Sequence, residues 1–170
     1  MDDRELVAGL AVRAKGPLPP RPGFLPPMKV GSSFVGELSD GDAKQVMGVF
    51  GIATAQLAEA GDAPSIRMAI HRLPGGAAAV IVGAVDDPTD KIAEWAPFDV
   101  ERASAMVAGL RCRPILEGRD LAALAYAVSN LSWFAHEAPF VATLDAERVA
   151  VMEADQGAFV VAARARFGPP

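Results

Sequence analysis

The sequence predicts an α+β fold, a mixed sheet with an antiparallel component packed by helices, and three features carry that reading. A half-buried strand and a fully apolar strand flank the pair Gly75-Gly76. Two stretches of helical apolar spacing follow, about 99–110 and 119–136. The chain then closes with "RVAVMEA" and "GAFVVAARARF", joined by "DQG", a hairpin-type turn. Its 170 residues are enough for one domain with a core of its own.

Taken in order, residues 3–14 carry Leu6, Val7, Leu10 and Val12 at roughly helical spacing, with acids early and basic residues late, as a helix dipole favours. "KGPLPPRPGFLPP" cannot be regular structure, because proline lacks the amide proton and biases the residue before it towards extended geometry. It reads as an extended arm, inert or strapped against a partner. "MKVGSSFVGEL" reads as a short strand and turn. Ser39 or Asp40 is placed to cap a helix over about 41–60, with Val46, Val49, Phe50, Ala53 and Leu57 as its apolar positions. In "SIRMAIHRLP", Ile66, Met68 and Ile70 alternate with Ser65, Arg67 and His71, the pattern of a half-buried strand. "AAAVIVGAV" is apolar on both faces and so belongs inside a sheet. "DDPTDKIAEWAPF" reads as a loop. The two later helices use Ala103, Met106, Val107 and Leu110, then Leu121, Leu124, Ala125, Val128 and Leu131. No internal repeat is visible.

Composition excludes several classes. Apolar residues make up 51% and charged residues 22%, the balance of a soluble globular chain. A net charge of −5 gives no electrostatic reason to approach nucleic acid or an anionic membrane, and the basic tail around Arg164 and Arg166 is too small to change that. No uncharged apolar run reaches the roughly 18 residues of a membrane span. The acidic opening "MDDRELVAGL" is unlike a secretion signal, so the expected compartment is cytoplasmic. One cysteine, Cys112, excludes an internal disulfide and a cysteine-rich zinc site.

Several segments, in order, resemble a known family. "MKV" stands where that family has L-K-V, and "LSDGDAKQVMGVFGIA" follows. "PGGAAAVIVGAVDDP" matches its Gly-Gly turn, V-G-V strand end and Asp-Pro. "FDVERASAMVAGLRCRPILEG" resembles its acidic helix and G-x-P-L-L-E-G segment. "DLAALAYAVSNLSWFAHEAPFVATLD" resembles the next helix and the entry to L-D-I-N-P-L, and "GAFVVAARARF" the closing V-V-A-V-D-A-R-I strand. The family is that of the NDP-forming acyl-CoA synthetases (acetate–CoA ligase, ADP-forming), related to the succinyl-CoA synthetase beta subunit, and the resemblance is to its ATP-grasp domain. It implies an ATP-grasp-like domain over 28–170, preceded by a helix and proline-rich arm over 1–27.

An ATP-grasp ligase holds nucleotide between two small lobes, with magnesium on the phosphates, and magnesium demands hard oxygen ligands. The resemblance assigns that task to the Asn of I-N-P and the Asp of V-D-A-R. Here those positions are Glu147, followed by Arg148, and Ala162. Alanine cannot ligate a metal. Glu147 is the one metal-ligand candidate, with Arg148 as a competing ion partner and a solvated turn as the alternative reading. The family's acid after the Gly-Gly turn falls on Ala78 or Ala79. Its glycine-rich phosphate loop, F-G-x-G-G, is replaced by "TDKIAEWAPF", which has no glycine. Lys29 is the remaining nucleotide-binding candidate, or else a solvated charge. No catalytic residue is assigned. His71, His136, Ser129, Ser132 and Cys112 lack a catalytic arrangement in sequence, Trp95 and Trp133 read as packing or interface residues, and Asp86, Asp87 and Asp90 read as a polar turn.

Three functions follow from this reading. The first is a non-catalytic, ATP-grasp-derived small subunit in a hetero-oligomer with a larger CoA-ligase or acyl-CoA enzyme, with the arm, Trp95 and Phe98 as contact elements. The second is a working ligase subunit whose site a partner completes, retaining ATP or ADP with Mg. The third is a structural assembly protein.

Overall fold

The computed structural model describes residues 1–10, 18–19 and 33–169. Its elements are α1 (Asp3–Ala8), β1 (Gly36–Leu38), α2 (Asp40–Val49), α3 (Leu57–Ala60), β2 (Ser65–Arg72), β3 (Ala78–Ala84), β4 (Lys91–Trp95), α4 (Val100–Ala108), a 3-10 turn (Arg113–Leu116), α5 (Leu121–Glu137), β5 (Val141–Val151) and β6 (Ala158–Phe167). The strands form one sheet of six in the order β1-β6-β5-β2-β3-β4. Every neighbouring pair is antiparallel, and among the described residues the parallel contact is the bridge Thr54–Val160.

Side-chain alternation divides the sheet into two faces. The inner face carries Ile66, Met68, Ile70, Val80, Val82, Leu144, Ala146, Val149, Val160 and Ala165, packed with Met47 of α2, Met106 and Val107 of α4, and Leu124, Val128, Leu131 and Phe134 of α5. β3 is buried on both sides because its outer residues, Ala79 and Ile81, join Ala69, Ala93 and Val7 of α1 in a second, smaller cluster. That is the physical meaning of its unbroken apolar run.

The starts of the main helices follow from local chemistry. Ser39 Oγ accepts the amide of Asp42 at 3.2 Å, Asp99 that of Arg102 at 2.8 Å, and Asp120 that of Ala123 at 2.9 Å. The ends depart from the sequence reading in two places. The helix expected over 41–60 breaks into α2 and α3 at Gly51, whose φ of 74° suits glycine. Phe50 turns inward to stack on Phe134 at 3.9 Å between ring centres. The following backbone pairs with β6 instead: Val160 N donates to Ala53 O at 2.9 Å and Ala55 N to Val160 O at 3.0 Å. Val49, Ala53 and Leu57, expected on the apolar stripe, are consequently exposed. The helix expected over 3–14 ends at Ala8, with Gly9 as its cap, and residues 11–14 lie outside the described residues.

A third departure is β4, expected to be loop. "KIAEW" hides a strand because each face bears an ion-paired charge. Glu94, on the inner side, is bound by Arg102 of α4 at 2.6 Å, and Lys91, on the outer side, by Asp3 at 2.7 Å. Phe98, expected to be an exposed contact residue, is 5% exposed. Its amide donates to Ser132 Oγ at 3.0 Å and its carbonyl accepts from Ser129 Oγ at 3.0 Å. Both serines of α5 therefore serve to tether the loop before α4.

One buried cation joins four segments. Arg72, at the end of β2, donates through Nε to Val141 O (2.8 Å), through Nη1 to Gly76 O (2.6 Å), and through Nη2 to Ala135 O (2.5 Å) and Ala138 O (3.1 Å). Ala135 and Ala138 end α5, where the helix dipole concentrates negative charge, so the guanidinium is held by peptide dipoles. Burial still pushes its pKa down. Arg72→Met leaves those carbonyls without donors and is expected to lower stability by about 3 kcal/mol. Urea unfolding with an unchanged midpoint would contradict that role.

Candidate functional site

The outer sheet face carries the polar cleft of the molecule, and strand register sets out its rows. One row runs Glu37, Arg166, Thr143, His71, Ala79, Trp95 from β1 to β4. The next runs Arg164, Asp145, Ala69, Ile81, Ala93. The half over β2, β3 and β4 is apolar and covered by α1. The half over β1, β6 and β5 is polar and forms an open cleft of about 280 Å³, lined by Glu37, His71, Thr143, Asp145, Arg164 and Arg166 among others.

An ion network divides the halves. Asp3 of α1 takes Lys91 Nζ on Oδ1 at 2.7 Å and Arg67 Nη2 on Oδ2 at 2.8 Å. Arg67 also grips Asp145 in a bidentate pair, Nε to Oδ1 at 2.8 Å and Nη2 to Oδ2 at 2.7 Å. Burial raises the Asp3 carboxyl, but hydrogen bonds and charge from Arg67 and Lys91 outweigh it and hold its pKa below the ordinary value. His71 is pushed down by burial and by the charge of Arg4. Sequence reasoning missed Asp3, Arg67 and Lys91 as a unit. An acid in a first helical turn looks like a dipole residue, and its partners lie 64 and 88 positions away.

The residues singled out from the sequence are not brought together. Lys29 lies outside the described residues. Glu147 sits in β5 beside a register shift, not in a turn, and its ion partner is Arg164 of β6 rather than Arg148. Arg148 instead donates to Ser65 Oγ at 3.0 Å and lies across from Ala162. Ala78 faces the inner core, and Ala79 is buried in the outer cluster beneath Val7. At either position the side chain that would stand where the family has an acid is therefore a buried methyl group, in the inner core at Ala78 or the outer cluster at Ala79. Among the described residues, no group of three or more His, Cys, Asp and Glu is placed to hold a metal ion.

The remaining candidates have structural partners. Asp90 is 5% exposed and accepts the amides of Arg111 (2.9 Å) and Cys112 (2.7 Å), pinning the end of α4 to the start of β4. Asp87 accepts from the Thr89 amide at 2.9 Å and hydroxyl at 2.7 Å, the polar turn expected. Trp133 meets His136 edge-on with ring centres 5.8 Å apart. Burial, together with the hydrogen bond to Asp90, pushes the Cys112 thiol up to about 11.

No protein-family model and no curated protein sequence matches the chain. Solved structures do. PH1788 from Pyrococcus horikoshii Ot3 is similar at a TM-score of 0.58 and 20% identity, over 64% of this chain and 50% of that one. The apo form of the dinucleotide-forming acetyl-coenzyme A synthetase 1 of Ca. Korarchaeum cryptofilum is similar at 0.56 and 21%, over 61% and 53%. The same synthetase with coenzyme A and Mg-AMPPCP gives 0.57 and 21%, over 62% and 53%. The fold is that of an acetyl-CoA synthetase segment. This agrees with the ATP-grasp domain to which the motifs point, and the chain spans about half the length of the solved chains it matches.

Two outcomes are expected at this site. Because the folded-state pKa of Asp3 is depressed, its contribution is complete above the unfolded value of about 3.9 and is lost as pH falls through the folded value. Val7 methyl NMR signals should thus report α1 loosening below about pH 4, and Asp3→Asn should loosen it at every pH. Cys112, titrating at about 11, should react with iodoacetamide at pH 8 roughly a hundredfold more slowly than an ordinary thiol of pKa ~8.5, accelerating as pH rises. Rapid alkylation of the folded chain at pH 8 would contradict the assignment.

Proposed function

We propose that this chain is a non-catalytic, ATP-grasp-derived small subunit that scaffolds or regulates a larger CoA-ligase or acyl-CoA enzyme in a hetero-oligomer. One observation carries the reading: the outer face keeps its architecture while the positions of ligand chemistry are filled by inert contacts. Ala78 and Ala79, the two positions open to the family's acid, are buried methyl groups, Ala162 has no side-chain oxygen, and Glu147 is paired with Arg164. A metal site needs several convergent carboxylate or carbonyl oxygens, and here two of the three positions carry no side-chain donor while the third is engaged by Arg164. The fold shared with a synthetase solved with coenzyme A and Mg-AMPPCP supports the enzyme class of the partner. The apolar packing of the inner face and of the outer face over β2, β3 and β4 supports a chain selected for its shape.

The reading of a working ligase subunit makes a different demand, since Glu147 must leave Arg164 to reach a metal. Purified alone, the chain is expected to release no ADP from Mg-ATP and to show no thermal shift with Mg-ATP at millimolar concentration, whereas a bound ligand must raise the melting temperature by mass action. Affinity purification from its native cells is expected to recover one larger subunit in fixed ratio, and Glu147→Ala should leave turnover of that complex unchanged. ADP release by the isolated chain, or loss of turnover in Glu147→Ala, would overturn the proposal in favour of the working subunit.

A further inference from the structure

α1 is too short to be stable by itself. Isolated helices below about 12–15 residues are marginal in water, and α1 has 6 residues. Its capping box between Asp2 and Glu5 closes the first turn, but the helix persists because of what it lies on. That bed is an apolar floor of Ala69, Ala79, Ile81 and Ala93, flanked by Leu73 and Trp95. Two cations, Arg67 and Lys91, stand together at the position of Asp3. The helix meets it with an acid followed by apolar residues three and four positions on, Asp3, then Leu6 and Val7, and Leu10 packs beside them just past the helix end. Helix-in-groove recognition reads side chains at this spacing.

The floor consists of strand residues fixed by the sheet, with β2, β3 and β4 hydrogen-bonded to one another independently of α1. The groove therefore remains when the helix leaves it, and a segment held by one apolar face and one ionic lock opens without global unfolding. We propose that α1 is a displaceable strap over a ready-made helix groove, and that the occupant to which it yields is an acid-led amphipathic helix on the partner subunit. This rests on the reading of the chain as a partner-binding subunit, and it names the surface and the chemistry of that contact. The charge complementarity already present selects the occupant: Arg67 and Lys91 accept a carboxylate at the first turn and repel a basic one.

The test uses the 170-residue chain labelled with 15N and, as probe, a synthetic peptide of residues 1–10, whose acid-led apolar sequence becomes helical on the groove. In Val7→Glu the strap is driven off the apolar floor, so amides of α1 should exchange at least tenfold faster than in the wild type while those of β2 and β3 keep their protection. Added peptide should then shift the amide signals of Ala69, Ile81 and Ala93, at least fivefold more at equal concentration than in the wild type, whose groove is filled. Lys91→Glu in the Val7→Glu background should abolish those shifts. Asp3→Arg, which reverses the lock without touching the floor, gives a second route to the open state if Val7→Glu fails to fold. Exchange of α1 at the same rate as the core, or an open variant whose groove ignores the peptide, would overturn the proposal. These signals need no partner and so test the strap and groove separately, whereas failure to recover a larger subunit would count against the functional reading and, with it, against a partner helix as the occupant.

Discussion

The buried guanidinium of Arg72 is the constraint on which the architecture turns. A charge inside a protein is costly unless its donors are matched, and here the match is made entirely by backbone carbonyls from the Gly75-Gly76 turn, the end of α5 and the start of β5. The helix layer and the sheet layer are thereby fixed at one point, in register and in angle. α5, uncharged from Leu121 to Ala135 and buried along most of that length, depends on this anchor for its placement. The rest of the inner core then fills by apolar complementarity.

Much of this was legible in the sequence where one force dominated. β2 and β3, the helices α4 and α5, and the hairpin turn into β6 all follow from apolar periodicity and turn chemistry. What escaped notice depended on distant partners. β4 was hidden because Lys91 and Glu94 look like loop charges until Asp3 and Arg102 neutralise them. The break between α2 and α3 was hidden because pairing of residues 53–55 with β6 outweighs a local helical pattern. Phe98 looked free for contact because nothing nearby in sequence announces the serines that bind it.

The candidate site was legible in a different way. Replacements at Ala162 and in the glycine-free "TDKIAEWAPF" could be read directly against the motifs. The sequence could not reveal that Ala79 lies beneath a helix from the same chain, or that Glu147 finds Arg164 across the strand pair. Loss of a ligand is a property of one position. Coverage of a face by a helix from elsewhere in the chain is a property of the assembled sheet.

The strand order has a consequence for how the protein is made. β2, β3 and β4 form a meander early in the chain, but β2 needs β5 as its other neighbour, and β6 and then β1 close beyond it. β5 and β6, made after the meander, therefore lie in the interior of the sheet. Until β5 has been made, β2 presents a bare edge on that side, and pairing across so long a separation is slow. Nascent chains of this fold should accordingly depend on holdase chaperones during synthesis far more than the modest size of the finished domain suggests.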